Sequence, residues 1–227
     1  SVALDLRSAE GRELAQALGC APGEGAGLYV TNFPARGFLS HEALVAQRKD
    51  LISARVMGWR DGRTAVDYTV NAALGYPMMT GAPGEREPVN HVMPAWDLAT
   101  GLYAAMALVS AERARAQTGA GAELRVPLGD VARATMGNLG QLAEVMLTGE
   151  DRPRLGNDIF GALGRDFALR DGARIMVVAL TRRQWTDMVR VLGLGPAVAR
   201  LEAELGVSLG ADEGVRFRHR EWLNPLV

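Results

Sequence analysis

The chain has 227 residues, 48% of them hydrophobic, and a formal net charge of −1. That length builds one large domain, or parts of two, around a real core, and the near-zero charge leaves no electrostatic footprint for nucleic acid. No run of eighteen apolar residues escapes a charge or a break, so no helix spanning a membrane is expected.

In chain order, VALDL (2–6) predicts a strand and AEGRELAQAL (9–18) an amphipathic helix. GLYVTNF (27–33) predicts a second strand, HEALVAQR (41–48) a second helix and LISARVMGW (51–59) a third strand. Strand and helix in short alternation predict parallel βαβ units of an α/β sheet, with ligands at the carboxyl ends of the strands. Residues 60–93 are rich in Gly, Pro and Asn, and read as a long irregular binding loop or lid. A helix then runs from Pro94 to about Gln117, followed by glycines. LRVPL (124–128) predicts a further strand and 130–147 one long helix; TGEDRPRLGND (148–158) is a polar connector. Residues 165–180 predict a β-hairpin turning at Asp171-Gly172, and Thr181 is the expected N-cap of a helix over 181–193. The chain closes on REWLNPLV without a tail, which predicts a sequence cut at both ends. The lone Cys20 excludes an internal disulfide and fits a reducing, cytoplasmic setting. The opening SVALDLRSAEGREL has no basic leader with an apolar stretch behind it, so no secretory signal is expected.

No G-x-G-x-x-G follows the first strand, and no G-x-S-x-G, P-loop or Cys/His metal spacing occurs, so no nicotinamide or metal site is expected. Of the 25 basic residues only Lys49 is a lysine. A GC-rich coding bias accounts for that; so does a need for arginine forks on phosphates and carboxylates. The chemistry-bearing oddity is Asp97, one carboxylate at the mouth of the apolar helix in NHVMPAWDLATGLYAAMAL. One reading is a complement to the helix dipole, worth roughly 0.3–1 kcal/mol. The other is a nucleophile, kept ionised by the free amides and dipole of the first turn, which also help a developing oxyanion.

LDLRSAEGRELAQAL, VTNFPARGFLS, GYPMMTG, PAWDLATGLYAAMALVSAERARAQTGAGAELRVPL and GNDIFGALGRDF stand in register with one another and together resemble the class III (formyl-CoA transferase-like) CoA transferases. TNFPARG, VDYTVN, VNHVMPAWD, GRDF and MVVALTRRQW resemble more closely the branch that moves CoA between the C1 and C4 carboxyls of mesaconate. The resemblance implies an α/β fold with a Rossmann-like parallel-sheet large domain, a linker and a small α+β domain, two such subunits interlocking as a homodimer. Residues 1–133 then belong to the large domain, 134–157 to the linker and 158–227 to the small domain. The family's catalytic aspartate falls on Asp97, which takes the acyl group from the thioester as a mixed anhydride, with no general base needed.

CoA enters as part of an acyl-CoA substrate, with no tightly bound cofactor, no nucleic acid and no membrane partner. Its adenosine end is expected near Asn32 and Phe33, with Arg36 as a phosphate fork, Arg7 as a weaker one, and Gly58 in the loop after the third strand. Phe33 as a core residue and Arg36 as a solvated one stay open. Met57 stands where some relatives carry a lysine. His91, Tyr68, Asn71 and Arg165 are candidates to hold the distal carboxylate of the acid, each with a plain packing or ion-pair alternative. Gly161 and Gly164 mark the glycine loop that in relatives closes over the aspartate; with fewer glycines here, a stiffer loop is expected. Transfer within one acid is the favoured activity. Transfer between acids, racemisation at an α-carbon, and an inactive CoA-binding fragment are the alternatives.

Overall fold

The computed structural model describes residues 2–23, 25–34 and 36–227. The chain divides into two compact units: Ser1–Pro77 with Asn90–Arg152, and Met78–Val89 with Pro153–Val227. The crossing at Arg152–Pro153 lies within the 134–157 stretch, whereas residues 78–89, assigned from sequence to the large-domain part, pack with the second unit.

The first unit holds helices α1 (Ala9–Gly19) and α2 (His41–Gln47), strands β1 (Leu28–Thr31) and β2 (Ile52–Met57), then α3 (Asp67–Ala73) and α4 (Tyr76–Met79), at whose middle the chain leaves the unit. After its return come α5 (Ala95–Thr118), β3 (Ala122–Pro127), α6 (Leu128–Asn138) and α7 (Gln141–Thr148). The three strands pair in parallel in the order β1-β2-β3, Leu28 beside Ile52 and Ile52 beside Ala122. Helix α5 packs on β2, β3 and α6. Its inward face buries Ala104 and Ala111; Ala104 joins Val126 and Val131 in one core cluster, and Trp96 joins Val70, Leu128 and Ala132 in another.

Arg115 sets the direction of α5. Near the helix's carboxyl end it is only 8% exposed, and its Nη1 donates to Ala26 O (2.9 Å), Gly27 O (3.3 Å) and Asp50 O (3.2 Å), just ahead of β1 and β2. The carboxyl end of the helix therefore lies at the amino ends of the strands. Twenty-four helical residues span about 36 Å, and the six of β3 about 20 Å. The start of α5 accordingly projects past the carboxyl edge of the sheet.

Three expectations change. Residues 2–6 form no strand: Asp5 turns the chain by accepting from Arg7 N (3.0 Å) and Arg7 Nε (2.9 Å), and Ser8 caps α1 through Gly11 N (2.9 Å). The run 60–93 is not wholly irregular, since it carries α3 and α4; Thr69 Oγ1 closes the first turn of α3 by accepting from Val66 N (3.0 Å) and donating to Val66 O (2.8 Å). The expected helix over 130–147 breaks at Gly140, whose φ of 73° is left-handed backbone that glycine accepts without Cβ strain.

The second unit contains the antiparallel hairpin β4 (Leu163–Ala168) and β5 (Arg174–Ala179), followed by α8 (Arg182–Val191), α9 (Gly195–Leu205), α10 (Glu213–Arg218) and α11 (Arg220–Leu223). The hairpin turns through Asp171-Gly172 as expected, Asp171 Oδ1 accepting from Ala173 N (3.0 Å). Thr181 caps α8 in a reciprocal box with Gln184. Leu163, Ala179, Trp185, Val198, Leu201, Leu209 and Leu223 form the core. The fully buried Arg216 ties it by donating to Leu209 O (3.0 Å) and Leu180 O (3.2 Å).

Candidate active site around Asp97

Helix α5 starts without a polar cap of its own, because Pro94 occupies the N-cap position. The cap comes from α3. Asp67, 1% exposed, accepts from Trp96 N (2.7 Å) and Asp97 N (3.1 Å) through Oδ2, while His91 Nε2 contacts its Oδ1. Ala95 N bonds Met93 O (2.7 Å) and Leu98 N bonds Pro94 O (3.1 Å). All four amides of the first turn are thus engaged inside the protein, so they are not free to receive an oxyanion, contrary to the expectation from sequence.

The neighbours hold this arrangement in place. Asn71 Oδ1 accepts from Trp96 Nε1 (3.1 Å), and Asn71 Nδ2 donates to Asn90 Oδ1 (3.4 Å). Asn90 Oδ1 also takes His91 N (3.0 Å). The Tyr68 ring meets His91 edge-on at 5.5 Å, and Tyr76 packs on Trp96 at 5.1 Å. His91, Tyr68 and Asn71 therefore converge at the start of α5, where the bonded side-chain atoms of His91 and Asn71 face Asp67, Trp96 and Asn90.

Asp97 is different. It is exposed, and its carboxylate makes no hydrogen bond or ion pair among the described residues. Partial burial, then the negative charge of Asp67, raise its pKa above the ordinary aspartate value. The expected pull of the helix end is outweighed, because Asp67 has taken the amides and added its own charge. The result is an accessible carboxylate with raised basicity, which suits a nucleophile better than a dipole complement.

The residues expected to hold CoA divide. Asn32 and Phe33 follow β1 at the carboxyl edge of the sheet, the same side as the start of α5. Phe33 is 74% exposed, so it fills no core. Arg36 is exposed and has no acidic partner among the described residues. Arg7 is engaged by Asp5, a pair at the surface. Gly58 also lies at that edge, after β2, but its need for glycine is local: a Cβ there falls 2.3 Å from Ala65 N as the 58–65 loop folds back. Gly161, Gly164 and Arg165 belong to the second unit. Gly161 has a left-handed φ of 80°, whereas Gly164 sits in β4, where a Cβ lies 2.6 Å from Ile159 Cδ1. Arg165 Nε stands 3.8 Å from Asp158 Oδ1.

Asp67 was not singled out from sequence. The signal was there: a helix opened by proline, with no Ser, Thr, Asp or Asn in the cap position, requires an acceptor from elsewhere.

The CoA-transferase family III profile matches residues 1–208. The chain is 49% identical, over all of its length, to the 2-methylfumaryl-CoA isomerase of Chloroflexus aurantiacus, and covers 55% of that protein. A CaiB/BaiF family protein from Brucella suis has a crystal structure that matches all of this chain with a TM-score of 0.74 at 25% identity; the match covers 58% of that chain. A hypothetical protein of Mycobacterium tuberculosis matches 98% of this chain with a TM-score of 0.72 at 20% identity, again over 58% of its own length, a likeness of fold. The chain thus spans little more than half the length of these relatives.

Proposed function

Since the chain belongs to CoA-transferase family III, we propose that its protein moves CoA between the C1 and C4 carboxyls of 2-methylfumarate (mesaconate), with Asp97 as the covalent relay. The exposed and unpaired carboxylate of Asp97 at the start of α5 is the observation that carries this reading. The identity to the Chloroflexus isomerase supports the choice of acid.

An Asp97 oxygen attacks the thioester carbonyl, the C–S bond breaks, and sulfur leaves as thiolate. A mixed anhydride remains, which keeps the acyl group activated. The thiolate then attacks the aspartyl carbonyl, releasing the free diacid and leaving CoA on Asp97. The other carboxylate of the same diacid attacks that thioester, and the returning thiolate takes the acyl group at its new end. Electrons and atoms balance with no proton transferred, so no Ser/His/Asp arrangement is required. In this reading CoA is substrate rather than resident cofactor, and the working protein is a cytoplasmic homodimer. Asn32, Phe33 and Arg36, at the carboxyl edge of the sheet, receive the coenzyme's nucleotide end.

The test is mass spectrometry of the full-length protein incubated with mesaconyl-CoA and then hydroxylamine. A hydroxamate on Asp97 is expected; an active enzyme with an unmodified Asp97 refutes the relay. Labelled free mesaconate that enters the product as fast as CoA changes ends would instead identify transfer between separate acids.

A further inference from the structure

Resting on that relay, we propose that Asp67 positions and primes Asp97: its buried carboxylate fixes the turn that carries the nucleophile and disfavours negative charge there, driving that charge onto the departing sulfur. The geometry is specific. One oxygen of Asp67 bonds the backbone amide of Asp97 itself at 3.1 Å and that of Trp96 at 2.7 Å, while His91 holds the other oxygen. At 1% exposure, water screens this carboxylate little. A neutral cap, such as serine or asparagine, satisfies amides equally well in ordinary helices. Beyond the roughly 0.3–1 kcal/mol that a charge gains from the helix dipole, capping does not call for one.

The relay gives that charge a use. When Asp97 attacks the thioester, its carboxylate charge becomes that of a neutral anhydride, and the electron pair of the broken C–S bond leaves on the CoA thiolate. No proton is exchanged. A fixed negative neighbour raises the free energy of the charged reactant and leaves the uncharged anhydride nearly untouched, so formation of the anhydride becomes more favourable. Asp67 touches no reacting atom. It acts through Asp97, whose carboxyl is raised in pKa by burial and by this same neighbour.

The titratable groups facing Asp67 are His91 and Tyr68 beside it and Asp97 on α5. On α6, Asp130 is turned to Arg60 (2.7 Å), and Arg133 lies over the Trp59 ring (5.0 Å), so neither opposes Asp67 directly.

The test compares full-length wild type with Asp67→Asn, which keeps an oxygen acceptor and removes the charge. Rates of hydroxamate formation on Asp97 from mesaconyl-CoA are followed from pH 4 to 8, and the Asp97 carboxyl is titrated by carbon-13 NMR. Asp67→Asn is expected to lower the Asp97 midpoint, without removing the part of the rise that burial causes, and to slow adduct formation at pH 7 by about three- to ten-fold. An unchanged rate and midpoint overturn the inference, as does a slower rate with an unchanged midpoint, which marks Asp67 as a helix cap and nothing more. Should Asp67→Asn fail to fold, Asp67→Ser, which keeps a capping oxygen without the charge, makes the same comparison, and a wild-type Asp97 midpoint at or below about 3.9 excludes priming outright. A wild type that turns over without any adduct on Asp97 refutes the relay, and the role of Asp67 falls with it. Adduct in wild type with no difference in Asp67→Asn refutes the role of Asp67 alone.

Discussion

Arg115 holds the far end of the helix that presents Asp97, so its removal is the sharpest test of how the site is placed. Arg115→Ala deletes three hydrogen bonds to backbone carbonyls, at Ala26, Gly27 and Asp50, each worth about 1 kcal/mol net. It also leaves Glu112 without its guanidinium, while Asp50 keeps that of Arg48 (2.8 Å). Stranding one partner of a buried pair costs about 3–5 kcal/mol, but side chains 39% and 37% exposed keep much of their hydration. The carbonyl losses therefore dominate, and a total of about 3 kcal/mol is expected. Arg115→Lys keeps the charge but ends in a single nitrogen, which cannot meet the carbonyls that Nη1 serves and at the same time keep the Glu112 pair that Nη2 makes, and should cost about 1–2 kcal/mol. Urea unfolding of the full-length protein, followed by tryptophan fluorescence, measures both. A loss below about 1 kcal/mol for Arg115→Ala, or a lysine variant equal to wild type, refutes the clamp.

Asp97→Asn should abolish the change of ends and alter stability with a defined sign. A carboxyl with raised folded pKa holds its proton to higher pH than the unfolded chain does, so its contribution to stability falls as pH rises from about 4 through the folded value, then stays level. The asparagine variant should melt above wild type at pH 7 and level with it at pH 2; a lower melting point at pH 7 contradicts the raised pKa. Phe33→Ala should leave the urea midpoint unchanged, because the ring is already exposed, while raising KM for the thioester; lost stability with unchanged KM counts against Phe33 as a CoA contact. Gly140→Ala should destabilise by about 1 kcal/mol, read from thermal melts, because its left-handed φ penalises a Cβ. A neutral result would mean that α6 and α7 can rearrange at no cost.

Features encoded within a few residues were legible before the structure: the alternation that makes β1 to β3 a parallel sheet, the Asp171-Gly172 turn, the cap at Thr181, and the oddity of Asp97. What escaped depends on partners far along the chain or on competition within one turn. Residues 2–6 have strand composition, but Asp5 captures Arg7 first. Helix α3 is two turns long, too short for periodicity to identify. Asp67 stands thirty residues before Asp97, whose amide it caps, and local pattern carries no sign of that distance. His91 and Asn71, expected to hold the acid's distal carboxylate, have bonded atoms that face Asp67, Trp96 and Asn90, a matter of orientation that composition does not encode.

Three buried arginines have a consequence for how this chain is held together. Arg115 reaches back to residues 26, 27 and 50, Arg154 to Met78, and Arg216 to residues 180 and 209. Each guanidinium staples segments remote in sequence, in a chain whose single cysteine can form no crosslink of its own. Lysine replacement would sort the arginines that any base could supply at the surface from the few whose planar head is a structural fastener.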